Sequence, residues 1–188
     1  MMSAGTKVWD KDANMYRDSE YRDIVVLIRS AKKSGQIWLE AMRNEGIPVY
    51  AENESGYFEA GEVRVMLDLL SIIDNAQQDI PLTAVMTSEI GGFTVTEAGH
   101  IRSCCSDGSM MDALMYAVNA ESSVRKGIRH KASVFLRRLD RWRDMARHTG
   151  VPELIDTLYR ETRWYDYVGG LPGGLLRQAN LRMLRDRA

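Results

Sequence analysis

The sequence predicts a mainly α-helical protein in which a small α/β piece precedes an all-helical region. Two short apolar runs, residues 23–30 (DIVVLIRS) and 47–52 (IPVYAE), have the composition of buried strands. Between them AKKSGQIWLEAMRNEG has the apolar spacing of a helix, with Gly46 placed as its stop. The order strand, helix, strand predicts a βαβ unit with parallel strands. From Asn75 onward the apolar patterns are helical, which predicts the all-helical region.

The stretch ESGYFEAGEVRVMLDLLSIIDN, residues 54–75, contains a predicted helix that is apolar on almost every side. Its polar stripe is narrow and consists of Gly61, Arg64, Asp68 and Ser71. A helix with so little polar surface is buried on most of its faces. We therefore expect residues 62–74 to pack against more than one neighbour.

The charges divide unevenly along the chain of 188 residues. Residues 1–100 contain 9 Lys/Arg and 16 Asp/Glu, whereas residues 101–188 contain 16 Lys/Arg and 10 Asp/Glu. Such asymmetry indicates two units. Two interpretations of the basic half stay open, because it fits either an anionic partner such as nucleic acid or a solvated, arginine-rich surface.

Several chemistries lack their sequence signals. There is no G-x-x-x-x-G-K-[ST] phosphate loop, the three histidines are scattered, and the two cysteines, Cys104 and Cys105, are adjacent. We therefore predict no catalytic residues, no metal site and no cofactor within this chain. No uninterrupted apolar run reaches about 18 residues, and the N-terminal residues lack the apolar core of a signal peptide. These patterns favour a cytoplasmic protein without a membrane span.

One segment has the pattern of a phosphate contact. SEIGGFT, residues 88–94, places a Gly-Gly turn just before a predicted helix, where backbone amides can hold a DNA phosphate without reading sequence. The alternative is an ordinary tight turn. The longest predicted helix, RKGIRHKASVFLRRLDRWRDMARHTG, carries arginines that could add phosphate contacts. The candidate DNA-binding residues are Ile90, Gly91, Gly92, Thr94, Arg137, Arg138 and Arg141.

Three segments together resemble one protein family. They are YRDIVVLIRS, then GIPVYAENESGYFEAGEVRVMLDLLSIIDNAQQDIPLTAVMTS, and finally YDYVGGLPGGLLRQANLRML. They are similar to the central part of the AddA proteins, the helicase–nuclease subunits of the AddAB type, which are relatives of the UvrD and Rep helicases of superfamily 1. The resemblance extends from about residue 7 to residue 188, so we expect the chain to be a fragment of an AddA-type protein.

The resemblance implies a domain organisation. Residues 1–22 would be an irregular, tag-like lead-in with one short strand, and residues 23–76 part of the RecA-like motor domain 2A. Residues 77–188 would form much of the helical domain 2B, which touches duplex DNA in the family. A Gly-Ile-Gly turn of 2B contacts the duplex backbone in relatives, and residues 90–92 occupy the comparable place here in the order Ile-Gly-Gly. Arg29 matches the arginine that ends a 2A strand, and this match implies a position near the nucleotide.

The resemblance also implies a function. The parent would be an ATP-dependent helicase and exonuclease that unwinds and resects double-stranded DNA ends in recombinational break repair, using ATP and Mg²⁺. The fragment alone is predicted to be inactive and to supply duplex contact and interdomain packing. Its expected partners are double-stranded DNA, the partner protein AddB and, for the excised fragment, a second copy of itself. The alternative is a helical interaction module that docks AddB or other motor domains.

Overall fold

The computed structural model describes residues 6–29, 31–50, 57–105, 107–119 and 123–188. The chain divides into two compact units, Met1–Tyr57 and Phe58–Ala188. The first contains a small sheet and one helix, and the second is helical. The predicted class, mainly α with a small α/β piece, is confirmed.

The sheet of the first unit is an antiparallel hairpin. Strand β1 (Lys7–Asp10) pairs with strand β2 (Met15–Asp18), and the Trp9 and Tyr16 rings meet edge to face at 5.0 Å between centroids. Arg17 joins the hairpin to the short 3₁₀ turn Tyr21–Asp23, donating to Asp10 at 3.0 Å and to both oxygens of Asp23 at 2.6 and 2.7 Å. Hydrogen bonding to this guanidinium holds the pKa of Asp23 well below its usual range.

The predicted βαβ pairing is not what the first unit forms. Residues 24–29 and 47–50 belong to no strand, and Val25 and Leu27 are 76% and 92% exposed. Residues 30, 51 and 52 of the predicted strands lie outside the described residues. An apolar run becomes a parallel strand only where neighbouring strands supply partners for its N–H and C=O groups. Among the described residues, only the two arms of the hairpin supply such partners to each other.

The helix predicted between those runs is present. Helix α1 (Ala31–Asn44) ends at Gly46, whose φ of +71° is the left-handed conformation that glycine adopts without strain. The Gly46 amide donates to the Arg43 carbonyl at 2.9 Å and the Ile47 amide to the Met42 carbonyl at 2.9 Å. This pair of hydrogen bonds is a Schellman motif, so Gly46 is the helix stop that the sequence predicts.

The second unit is a bundle of short helices crossed by one long helix. Helix α2 contacts three others and lies at its centre, with Val63, Met66, Leu69 and Ile72 fully buried, so the prediction for residues 62–74 is confirmed. The helices are α2 (Gly61–Asp74), α3 (Asp79–Thr87), α4 (Val95–Ser103), α5 (Met110–Ala117), α6 (Lys126–Ala146), α7 (Val151–Thr162), α8 (Trp164–Gly169) and α9 (Gly174–Arg187).

A buried carboxylate ties the first helix of this bundle to the last. Glu62, only 4% exposed, accepts hydrogen bonds from Arg177 at 2.7 Å and from Asn180 at 2.8 Å. The buried Trp164 indole donates to the Glu62 carbonyl at 3.1 Å. Since a buried charge is tolerated only when it is paired and hydrogen-bonded, these contacts fix α2 against α8 and α9.

The long helix α6 places its apolar stripe inward, as its sequence predicts. Phe135, Leu139 and Trp142 are buried, and the helix packs against α2, α5 and α7. Arg143 donates to the carbonyl of Ile73 in the last turn of α2 at 3.2 Å. A cation at this end of α2 is favourable, because the last carbonyls of a helix lack partners within the helix.

Candidate nucleic-acid interface

The turn between α3 and α4 is built around two glycines. An added Cβ on Gly91 would lie 2.6 Å from the Val85 carbonyl oxygen, so only glycine fits there. Gly92 has a φ of +68°, again the left-handed conformation. The side chains of Ile90 and Phe93, each 3% exposed, anchor the turn in the core on either side. The Gly-Gly turn is therefore a fixed part of the fold.

Most amides of this turn already have acceptors. Gly92 donates to the Ser88 carbonyl at 2.7 Å, Phe93 to the Met86 carbonyl at 2.9 Å, and Thr94 to the Glu97 carboxylate at 2.8 Å. Ile90 donates to the Ser88 hydroxyl at 3.2 Å. Within the described part of the chain, the Gly91 amide has no acceptor. The turn therefore offers an anion one amide rather than several.

Two further amides are available at the start of α4. Thr94 is the N-cap, and its hydroxyl accepts from the Glu97 amide at 3.1 Å while Glu97 returns the bond, which confirms the capping box that the sequence predicts. Val95 and Thr96 are the first two helical residues, are exposed, and donate to no acceptor in the described ranges. Together with the Gly91 amide they make up the candidate phosphate donors.

Two cations of α6 hold the carbonyls of the turn. Lys131 donates to the Gly92 carbonyl at 2.9 Å and to Glu97 at 2.7 Å, and lies 5.3 Å from the Phe93 ring centroid. Arg138 donates to the Ile90 carbonyl at 3.4 Å. The two residues are seven positions apart and therefore share one face of the helix. This face brings α6 against the Gly-Gly turn.

Arg138 is the one predicted arginine for which the structure gives a contact with the turn. Its guanidinium lies 4.8 Å from the ring centroid of the buried Trp142, and burial lowers its pKa from the ordinary value of 12.5. Arg137 is exposed and donates to Ser133 of its own helix at 2.6 Å, whereas Arg141 pairs with Glu161 at 2.5 Å. The predicted residues of the turn and Arg138 are thus brought together, while Arg137 and Arg141 make their contacts elsewhere.

Sequence reasoning does not single out Lys131. A lysine within a basic helix carries no motif, and only its i, i+7 relation to Arg138 on the polar side of α6 could have identified it. Its charge is offset by Glu97, whose pKa is lowered chiefly by hydrogen bonding to Lys131 and also by the bond from the Thr94 amide.

The remaining predicted residue, Arg29, belongs to the first unit, where it is exposed at a turn position. In the described ranges no group of three or more His, Cys, Asp or Glu side chains is placed to hold a metal ion. Cys104 and Cys105 are free thiols. None of the helices that the structure describes has the length and apolarity needed to cross a membrane.

Comparison with known families defines the class of protein. Residues 7–117 match the model of the UvrD-like helicase C-terminal domain, and the chain belongs to this family.

The relatives are more specific. The chain is 46% identical over 182 residues to the AddA subunit of the ATP-dependent helicase/nuclease from Desulforamulus reducens, covering 97% of this chain and 14% of that protein. It is 44% identical over 190 residues to the same-named protein of Geobacillus kaustophilus, covering 100% of this chain and 15% of that protein. With the Clostridium acetobutylicum protein the identity is 46% over 185 residues, 97% of this chain and 14% of that protein. The chain therefore spans about one seventh of the length of the curated relatives it matches.

Proposed function

We propose that this chain is part of an AddA-type ATP-dependent helicase/nuclease, and that its helical unit contacts duplex DNA. The whole enzyme would use ATP and Mg²⁺ to unwind and resect double-stranded ends during recombinational repair in the cytoplasm. The observation that carries the DNA contact is the turn at residues 88–94. Its Gly91 amide is unpaired in the described structure, and it lies beside the exposed first amides of α4 and against a basic helix.

The chemistry of this site suits the DNA backbone rather than the bases. Amides at the start of a helix bind phosphate oxygens irrespective of sequence, because they meet only groups that every nucleotide shares. Each phosphate neutralised by a cation releases counterions, so affinity should fall with salt by a slope of about −0.9 per phosphate contact. With few amides and one offset lysine, we propose weak, salt-sensitive and sequence-independent binding.

Nucleotide chemistry would belong to other parts of the enzyme. Arg29, as the match to the arginine that ends a 2A strand in the family, is proposed to lie near the nucleotide in the whole protein. The chain alone is proposed to have neither ATPase nor nuclease activity.

A proline substitution tests the DNA contact with little disturbance of the fold. Val95→Pro removes one amide at the first position of α4, where proline is well tolerated, and Thr94 already has the extended backbone (ψ 157°) that a following proline requires. Val95→Ala removes the same exposed side chain but keeps the amide. In fluorescence anisotropy titrations with a short labelled duplex at low salt, we expect V95P to bind about tenfold more weakly and V95A to match the wild type.

Two results would contradict the proposal. One is the absence of wild-type binding at high micromolar concentrations of the 188-residue chain, and the other is equal affinity of V95P and V95A.

A second candidate function, docking of the partner protein AddB, is favoured by the apolar face of α9. Leu175, Leu176 and Met183 are 86%, 45% and 42% exposed and fall within one side of that helix. Leu175→Glu with Met183→Glu should abolish co-purification with AddB, whereas Arg182→Glu on the same helix should not. Retention of the complex by the double variant would exclude this face. If the face instead pairs two copies of the chain, sedimentation velocity will show a dimer that the double variant converts to a monomer.

A further inference from the structure

We propose that Arg138 is a positioning residue, which sets the direction of the Gly91 amide toward a DNA phosphate instead of contacting the phosphate itself. This inference rests on the proposed duplex contact and names the residue that prepares it. It also reassigns one of the arginines that the sequence places among direct DNA contacts.

The geometry of one peptide group carries the argument. Arg138 donates to the Ile90 carbonyl at 3.4 Å, so this carbonyl faces α6. The Ile90–Gly91 peptide bond is trans and planar, which places the Gly91 N–H on the side opposite to that carbonyl. Holding the carbonyl against α6 therefore turns the unpaired amide away from the helix.

A second cation fixes the other end of the turn. Lys131 donates to the Gly92 carbonyl at 2.9 Å. With the carbonyls of residues 90 and 92 both held by α6, the two peptide groups around Gly91 have little freedom to rotate. The close approach of Gly91 to the Val85 carbonyl limits the turn further.

Arg138 is itself held in place by a chain of contacts. Its guanidinium stacks on Trp142 at 4.8 Å, and the Trp142 indole donates to Glu161 at 2.8 Å. Glu161 also accepts from Arg141. For Arg138 to reach a phosphate, it would have to leave this stack and release the Ile90 carbonyl.

The side-chain type matters because a guanidinium is planar. Arginine can stack its face on an indole and donate from its edge at the same time, whereas the ammonium of lysine lacks such a plane. Arg138→Lys therefore keeps the positive charge and loses the positioning geometry, and Arg138→Gln loses both. A direct phosphate contact would tolerate lysine, but a positioning role would not.

The experiment measures duplex affinity of the full chain by fluorescence anisotropy over a range of salt concentrations. We expect R138K and R138Q both to weaken binding about fivefold to tenfold while leaving the salt slope of the wild type unchanged. Arg160→Gln, which removes an exposed charge from α7, serves as the matched control and should bind as the wild type does. Thermal unfolding identifies any variant whose loss reflects global destabilisation.

A second readout follows the turn directly. In two-dimensional ¹H–¹⁵N spectra without DNA, R138K should shift the amide resonances of Gly91 and Gly92, and Arg160→Gln should leave them in place. A purely structural role of Arg138 in packing α6 would instead spread the shifts along the helix.

The outcomes separate this inference from the function it rests on. Wild-type affinity of R138K, a salt slope reduced by about one in R138Q, or unmoved Gly91 and Gly92 resonances in R138K would each overturn the positioning role alone. Failure of the wild-type chain to bind duplex at all would overturn the proposed function, and with it the role assigned to Arg138.

Discussion

Glu97 lies where the candidate phosphate donors and the basic helix meet. Its carboxylate accepts from the Thr94 amide at 2.8 Å and from Lys131 at 2.7 Å, so one side chain caps α4 and offsets a cation. A phosphate arriving at the exposed amides of α4 would meet this negative charge at close range. Glu97 should therefore weaken the DNA contact even though it stabilises the turn.

Glu97→Gln separates these two effects. Glutamine can keep the capping box with Thr94, because its side-chain oxygen also accepts from an amide, but it carries no charge. We expect E97Q to bind duplex DNA several-fold more tightly, with a salt slope steeper by about one, since Lys131 becomes free to neutralise a phosphate. Anisotropy titrations at several salt concentrations measure both quantities.

The matched control is Glu153→Gln. Glu153 is the acidic residue in the first turn of α7, as Glu97 is in α4, and it has no described contact with the Gly-Gly turn. An equal gain in affinity from both substitutions would show that net charge alone is responsible, and would contradict the role given to Glu97.

At the scale of the elements, the bundle depends on the contacts of α2. Its first turn is clasped by α8 and α9 through Glu62, and its last turn is capped by Arg143 of α6. Each of these hydrogen bonds joins residues far apart in sequence. Loss of one should therefore destabilise the whole helical unit rather than one helix end.

We expect Glu62→Ala to lower the free energy of unfolding by about 2–3 kcal/mol, because Arg177 and Asn180 lose a buried, charged acceptor. Urea denaturation followed by circular dichroism measures the change. Glu59→Ala, which alters an exposed residue just before α2, should have little effect. A loss for E62A no larger than that for E59A would show that the clasp does not stabilise the bundle.

The elements also show what sequence patterns can and cannot predict. Local signals predicted the buried α2, the apolar stripe of α6, the Gly46 stop and the Thr94–Glu97 box, since each depends on residues within a few positions. The apolar run at residues 24–29 was assigned to a strand wrongly, because hydrophobicity predicts burial but not the partner that a strand requires.

The candidate site divides in the same way. The Gly-Gly turn was predictable because glycines before a capping box have a local meaning. The tasks of Lys131 and Arg138 were not, since each contacts a carbonyl 39 or 48 positions away in the sequence. Charge patterns place arginines on a helix, whereas only the tertiary structure shows which donors are already occupied.

At the scale of the whole molecule, the charge asymmetry between the halves of the sequence disappears when the division follows the structure. The unit Phe58–Ala188 contains 17 Lys/Arg and 17 Asp/Glu, and is formally neutral. Its basic character is concentrated in α6, which carries 7 Lys/Arg against 2 Asp/Glu. Attraction to DNA would therefore come from one helix surface rather than from the net charge of the unit.

The steric demand at Gly91 has an evolutionary consequence. The Val85 carbonyl excludes any side chain at position 91 in every folded copy, whether or not DNA is bound. Gly92 is different, because an added Cβ would enter open space and only its left-handed backbone disfavours other residues. Asparagine adopts that conformation more readily than most side chains do. Homologues that keep this turn should therefore be invariant at position 91, and should drift first toward asparagine at position 92.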